Sequence, residues 1–205
     1  MLITAEQLKN VCTTLKLPRC QVMADLLNKL GEKYGVVSKD VFHEFLANVI
    51  QESGEFSHKE ENMYYRPATL MKVWPKRFPT IESTKGYARN PQALANYVYG
   101  GRMGNINPND GFTFKGAGFI GITGRDTYTK YANYIGVTPE KASELMRTTD
   151  EYALDSAYWF FCVLKDLEDE AERDEIIGII RSINGGLIGK DDRLFYYERA
   201  KKFVV

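Results

Sequence analysis

Apolar residues recur at the spacing of an α-helix along most of the chain, and this pattern predicts a mainly helical protein. The clearest run begins at Asp40, a candidate N-cap, and ends near Ser53 and Gly54. Capping residues, prolines and glycines mark further predicted helices in the same way. These lie at about 4–16, 18–34, 67–73, 81–88, 90–100, 125–135, 139–147, 151–165, 173–183 and 191–203.

One region interrupts the helical pattern. Residues 102–124 are rich in glycine, asparagine and phenylalanine, and apolar and polar residues alternate from Phe112 to Phe114. Alternation of this kind is typical of a strand. We therefore expect a glycine-rich irregular segment or a small β insertion near 102–124.

Two glutamates near the end of the helix from Asp40 differ in their expected surroundings. Glu52 follows Phe45 by seven residues, about 700° of helical rotation, so it falls on the core-facing side of the helix. Partial burial raises the pKa of a carboxyl group, and such a group can act as a general acid. Glu61 lies beyond the helix stop at Gly54, in a polar loop that can fold back.

Two carboxyl groups in different environments are the arrangement that glycosidases use. The chain has 27 acidic residues, however, and most glutamates on loops are simply solvated. The spacing alone therefore leaves both interpretations open, a catalytic pair or two ordinary surface carboxylates.

Composition limits the other functions that need consideration. A chain of 205 residues can form one sizeable core, or one domain split into two lobes about a cleft. The chain has 27 basic residues (lysine plus arginine) and 27 acidic residues (aspartate plus glutamate), so no overall positive charge favours nucleic-acid binding. There is no run of 18 apolar residues and no export signal at the N-terminus, so we expect synthesis in the cytoplasm and no stable membrane association. The three cysteines are expected to be reduced.

Several familiar motifs are present only in part. Residues 116–121 match G-x-G-x-x-G, but no buried strand precedes them, so nucleotide binding is not expected. His43 and Glu44 begin like a zinc-peptidase helix, yet Ala47 stands where the second histidine must be. The asparagines of 105–109 begin like a calcium loop that lacks its glycine and its final glutamate. We expect no metal site and no cofactor.

Six blocks of sequence, in order, resemble those of the chitinase-like enzymes of glycoside hydrolase family 19, and in particular its short bacteriophage endolysins. The resemblance runs from about residue 40 to the C-terminus. The blocks are 51–56, 60–65, 74–78, 95–105, 115–125 and 183–187. This resemblance implies a lysozyme-like, mainly helical fold with two lobes around a glycan-binding groove. We expect a single catalytic domain over 1–205, with an N-terminal helical part (1–38), a family-like catalytic core (39–205) and no separate wall-binding domain.

The resemblance also assigns catalytic roles. Glu52 matches the general acid, and Glu61 matches the general base that activates water on the opposite face of the sugar, which is inverting chemistry. Thr123 matches the hydroxyl residue that holds this water.

Seven further residues are candidates for substrate binding. Asn184 and Arg193 match residues that line the cleft and support the acid, and two tyrosines offer faces for sugar stacking if they do not simply pack in the core. The full set is Tyr64, Tyr99, Asn105, Gly121, Arg125, Asn184 and Arg193.

Three positions depart from the family pattern. Gln51 stands where many members have histidine, Gly121 where glutamine is usual, and Thr127 where asparagine is usual. Since the acid, base and hydroxyl are kept, we expect activity with a changed sugar preference.

The resulting hypothesis is an endolysin that hydrolyses β-1,4-glycosidic bonds of bacterial peptidoglycan and lyses the host cell. Its partners would be peptidoglycan glycan strands. It would accumulate in the host cytoplasm as a monomer and reach the cell wall through a membrane breach made by a holin-type protein. The alternatives are a chitinase acting on chitin oligomers, and a non-catalytic glycan-binding or virion module with a decayed site.

Overall fold

The computed structural model describes residues 1–205 and is mainly helical, with irregular segments between the helices. None of them is long and apolar enough to span a lipid bilayer. A 3₁₀ turn (Glu82–Thr84) and a π-helical segment (Trp159–Leu164) accompany twelve α-helices. The α-helices are α1 (Ala5–Val11), α2 (Leu17–Lys33), α3 (Lys39–Ser53), α4 (Pro67–Val73), α5 (Pro91–Tyr99), α6 (Asp110–Thr113), α7 (Arg125–Ile135), α8 (Pro139–Thr148), α9 (Asp150–Tyr158), α10 (Glu168–Glu172), α11 (Ile176–Asn184) and α12 (Lys190–Phe203). The predicted mainly helical class is confirmed.

The chain divides into two compact units. The first unit comprises Met1–Lys59, Gly118–Gly121 and Met146–Val205, and the second comprises Glu60–Ala117 and Ile122–Leu145. The N-terminal helical part, residues 1–38, belongs to the first unit together with α3 and α12. The single catalytic domain over the whole chain stays a prediction, and so does the glycan-binding groove.

Helix α3 forms the centre of the first unit. Every residue from Val41 to Ile50 is buried, as in a helix that is covered on all sides. It packs mainly against α12, with α10 and α11 also in contact. The Phe45 ring stacks on Tyr158 at 4.0 Å and meets Phe161 edge-on at 5.6 Å. Glu52 is thereby carried at the end of the most buried helix of this unit.

The two ends of α3 are set by side-chain and backbone caps. The Ser38 hydroxyl accepts a hydrogen bond from the Val41 N–H at 3.5 Å, so Ser38 is the N-cap and the prediction of Asp40 is wrong by two residues. Gly54 ends the helix in the left-handed conformation, with φ of 55°, as predicted from the sequence.

The second unit has its own small core beneath α4 and α5. Its members are Met63, Leu70, Phe78, Leu94, Ala95 and Val98, with a fringe of partly buried aromatic rings. Helix α6 approaches α5 closely at Gly111, where a Cβ atom would lie 2.6 Å from the Ala95 carbonyl oxygen. A side chain at that position would push the two helices apart.

Helix boundaries near the N-terminus differ from the prediction. The capping box of Thr4 and Gln7 is confirmed, but α1 ends at Val11 rather than near Lys16. The chain leaves the helix there because Thr13 and the two residues after it turn their N–H groups to a distant carboxylate. The helix predicted at 81–88 is a single 3₁₀ turn with further turns after it.

Residues 102–124 form a largely irregular segment, which was one of the two structures expected for this region. The small hairpin does not form, because Asp110–Thr113 make a helical turn. Only isolated antiparallel bridges occur, from Ala117 to Glu60 and to Ile122. The helix predicted at 151–165 becomes π-helical from Trp159 onward, and α10 was not predicted.

Candidate functional site

The first unit carries Glu52 in the last turn of α3. Its carboxyl group accepts a short hydrogen bond from Nη2 of Arg193 on α12. The Glu52 side chain is 27% exposed, whereas that of Arg193 is 1% exposed. Burial raises the pKa of Glu52, and the positive charge of Arg193 opposes this rise without cancelling it. A partly buried carboxyl with a raised pKa and an open side has the properties of a proton donor.

Arg193 is committed to this pair. Its Nε and Nη1 atoms are buried and have no hydrogen-bond partner, so Glu52 is the partner of the guanidinium group. A buried arginine that lacked this carboxylate would be an unpaired charge. Arg193 therefore contacts Glu52 directly, and its support of Glu52 as the acid stays a prediction.

Two further candidates lie in the first unit without contacting Glu52 in this way. Asn184 is the last residue of α11, and its amide donates to the Ile188 carbonyl oxygen at 3.1 Å, which closes the turn before α12. Gly121 is exposed with φ of 72°, and a Cβ atom there would meet nothing within 4 Å. The missing side chain at Gly121 thus leaves open space where the resemblance predicts glutamine.

The second unit carries Glu61 beside Tyr99 and Thr123. The Tyr99 hydroxyl lies 2.8 and 2.7 Å from the two Glu61 carboxylate oxygens, and the Glu61 N–H donates to the Gly116 carbonyl oxygen at 2.8 Å. A Cβ atom on Gly116 would lie 3.5 Å from both Glu61 Oε2 and Thr123 Oγ1. The Glu61 carboxylate and the Thr123 hydroxyl therefore both lie next to Gly116, which has no side chain.

Glu61 also opens onto a cavity of about 340 Å³. Phe112 and Met63 supply apolar walls, and Asn62 and Lys115 supply polar groups. The Lys115 ammonium is bound to Glu60 at 2.8 Å and lies 4.3 Å from the centre of the Phe112 ring. A cavity of this size with an apolar wall and a few polar groups suits a small ligand or one sugar of a chain.

The remaining substrate-binding candidates of the second unit occupy different positions. Tyr64 is exposed, so its ring face is available. Asn105 is 1% exposed, and its amide bonds the Tyr99 carbonyl oxygen at 3.0 Å and the Arg125 N–H at 2.9 Å. Arg125 forms ion pairs with Asp110 at 2.7 Å and with Glu140 at 3.1 Å. These contacts make Asn105 and Arg125 parts of the framework around Tyr99.

Glu55 is a buried residue just after the C-terminal end of α3, and it was not among the residues predicted from the sequence. Its carboxylate accepts hydrogen bonds from the segment Thr13–Leu15 and from Tyr196. Partners 40 and 141 residues away leave no trace in local spacing.

No group of three or more His, Cys, Asp or Glu side chains within residues 1–205 is arranged to hold a metal ion.

Comparison with known proteins assigns the chain to a family. No protein-family model matches the chain. A protein of Haemophilus influenzae, described as a glycosyl hydrolase family 19 domain-containing protein, is 33% identical over 170 residues, which cover 81% of each chain. The chain belongs to glycosyl hydrolase family 19. This family member is therefore a glycoside hydrolase of chitinase-like type.

A solved structure supports the fold. The crystal structure of a chitinase C mutant superimposes with a TM-score of 0.63 and covers 99% of this chain and 76% of the chitinase chain. The two sequences are 15% identical, so this likeness concerns the fold. The lysozyme-like, mainly helical architecture implied by the sequence blocks is confirmed.

Proposed function

We propose that this family 19 member is an endolysin that hydrolyses β-1,4-glycosidic bonds in the glycan strands of bacterial peptidoglycan. The observation that carries the proposal is the environment of Glu52, a carboxyl group with a raised pKa, held by a buried arginine and open on one side. The endolysin role itself rests on the likeness of the sequence blocks to those of short phage enzymes.

The proposed chemistry uses three groups. Glu52 donates its proton to the glycosidic oxygen as the bond to the anomeric carbon breaks. A water molecule attacks that carbon, and Glu61 accepts the proton which the water loses. The Thr123 hydroxyl lies on the Glu61 side of Gly116, where it can hold the water. The net reaction adds one water across one glycosidic bond.

The test is digestion of purified peptidoglycan, followed by borohydride reduction and mass analysis of the products. We expect new reducing ends at one type of sugar, and we expect Glu52→Gln to lower the rate by at least about a thousandfold because it removes the proton donor. Glu172→Gln, an exposed change on α10, is the matched control and should keep full activity. Full activity of Glu52→Gln would sink the acid assignment.

A chitinase is the second candidate, and the structural similarity to chitinase C favours it. The same borohydride assay on chitin oligomers separates the two functions. Faster release of ends from chitin oligomers than from peptidoglycan would overturn the endolysin proposal and support the chitinase. Binding of either glycan without any new reducing end would instead support the non-catalytic module suggested by Gly121 and Thr127.

A further inference from the structure

Glu55 holds a buried carboxylate directly after the helix that bears Glu52. It is 3% exposed and has a φ of 56°, in the left-handed region that side chains other than glycine rarely adopt. Such a backbone conformation costs free energy and persists only where other contacts hold it. The contacts around Glu55 are therefore expected to be strong.

The segment between α1 and α2 provides most of these contacts. The Thr13 N–H and hydroxyl donate to one carboxylate oxygen of Glu55 at 2.6 and 2.7 Å. The Thr14 N–H at 2.7 Å, the Thr14 hydroxyl and the Leu15 N–H at 3.1 Å donate to the other. Burial alone would raise the pKa of Glu55, but the hydrogen bonds from Thr14 and Thr13 lower it to about 2. Glu55 is thus ionised at neutral pH.

A sixth donor connects Glu55 to α12. The Tyr196 hydroxyl donates to Glu55 Oε1 at 3.0 Å. Tyr196 follows Arg193 by three residues on α12, and Glu55 follows Glu52 by three residues after the end of α3. The pairs Glu52–Arg193 and Glu55–Tyr196 are therefore two adjacent cross-links between the same two stretches of chain.

Glu55 is also fixed to the turn that bears Glu52. Its N–H donates to the Ile50 carbonyl oxygen at 2.8 Å, and the next residue, Phe56, donates its N–H to the Ser53 hydroxyl at 2.8 Å. A displacement of Glu55 would move the last turn of α3 with it. A displacement of Tyr196 would move α12 one turn from Arg193.

We propose that Glu55 is a positioning residue for Glu52. By accepting the hydrogen bond from Tyr196, it holds α12 in place, so that Arg193 stays in contact with Glu52. The proposal rests on the assignment of Glu52 as the proton donor. If Arg193 loses its place, Glu52 keeps its burial but loses the positive neighbour. The Glu52 carboxyl then holds its proton to higher pH.

The experiment measures the Glu52 side-chain pKa by NMR in protein with carbon-13-labelled glutamate, with the resonance assigned through Glu52→Gln. Tyr196→Phe removes only the hydroxyl of the second cross-link, and Glu55→Gln removes the negative charge. We expect the Glu52 pKa to rise by about half a pH unit or more in both variants. The alkaline limb of kcat/KM against pH should move in the same direction.

Tyr158→Phe is the matched control, because it deletes another buried hydroxyl of this unit, one that donates to the Leu27 carbonyl oxygen at 2.9 Å. It should lower the melting temperature without moving the Glu52 pKa. If Glu55→Gln does not fold, Tyr196→Phe still decides the matter. An unchanged or lower Glu52 pKa in the folded variants would overturn the proposal, whether or not their stability falls.

The NMR readout does not depend on turnover, so the two ideas fail separately. A shifted Glu52 pKa in a protein that cleaves no glycan would refute the proposed function and keep the positional link. Normal glycan cleavage with an unshifted pKa in both variants would refute the link and keep the function.

Discussion

Tyr99 is the residue that distinguishes the surroundings of Glu61 from those of a solvated loop glutamate. Burial raises the pKa of Tyr99, and the neighbouring Glu61 carboxylate raises it further, so the phenol keeps its proton. It therefore remains a donor to Glu61, at 2.7 Å from Oε2. Such a donor orients the carboxylate, and a misplacement of about 1 Å in a reacting group can lower a rate about a hundredfold. Tyr99, expected to bind sugar, has its hydroxyl on Glu61, the proposed base.

Replacement of Tyr99 by phenylalanine tests this assignment. The ring remains in place, so we expect the variant to fold and to bind substrate with nearly the same KM. Its kcat should fall about tenfold, because Glu61 loses the group that orients it. Steady-state kinetics on the reduced-end assay give both constants. Tyr97→Phe, an exposed change two residues earlier on α5, should leave kcat unaltered; equal losses in the two variants would contradict the role of Tyr99.

At the scale of the element, the end of α3 depends on Gly54. The left-handed φ of 55° would strain any residue with a Cβ atom, and that atom would also lie 2.8 Å from His58 Nδ1. Gly35, two residues after α2, has a comparable φ of 74° but nothing within 4 Å of its Cβ position. The two glycines therefore separate backbone strain from close contact.

Alanine at each glycine should give different results. Gly35→Ala should lower the free energy of unfolding by about 1 kcal/mol through strain alone and leave activity intact. Gly54→Ala should cost more, about 2 kcal/mol, and should also lower activity because the His58 side chain or the turn beside Glu52 must shift. Adding His58→Ala should recover the part due to the contact. Urea unfolding and glycan cleavage provide the measurements, and equal costs at the two sites would contradict the contact.

The sequence predicted elements better than contacts, and α3 shows why. Its length and its glycine stop follow from residues adjacent in the chain, so the pattern was sufficient to predict both. Glu52 itself lies at the edge of the buried face, with its side chain 27% exposed. The end of α1 was misplaced because Thr13 and Thr14 bind Glu55, about 40 residues away, and this long-range contact overrides local helix propensity. The bond from Tyr99 to Glu61 spans 38 residues and was equally invisible.

At the scale of the whole molecule, buried ionisable groups make stability depend on pH in two directions. Hydrogen bonds from arginine lower the pKa values of Asp110 and Asp150 to about 2, as those from threonine do for Glu55. Their contribution is present above the unfolded pKa near 4 and is lost as the pH falls toward 2. Burial also lowers the pKa of His43, which removes stability below pH 6.5.

Glu44 has the opposite effect, because it makes the folded protein less stable as the pH rises. It is fully buried on α3, neither of its carboxyl oxygens has a hydrogen-bond partner, and burial, followed by the charge of Asp174, raises its pKa from 4.5 to about 8. The folded protein therefore holds a proton that the unfolded chain releases, and this contribution to stability is lost as the pH rises through 8. Between pH 6.5 and 8 the contribution of Glu44 to the stability of the parent should fall by up to about 2 kcal/mol. Glu44→Gln removes the titrating group, so its melting temperature should fall roughly 4 to 8 °C less over that interval. Calorimetry across the pH range measures this, with Glu172→Gln as the control that keeps the parental slope; the same slope in Glu44→Gln would show that Glu44 is not protonated in the folded state.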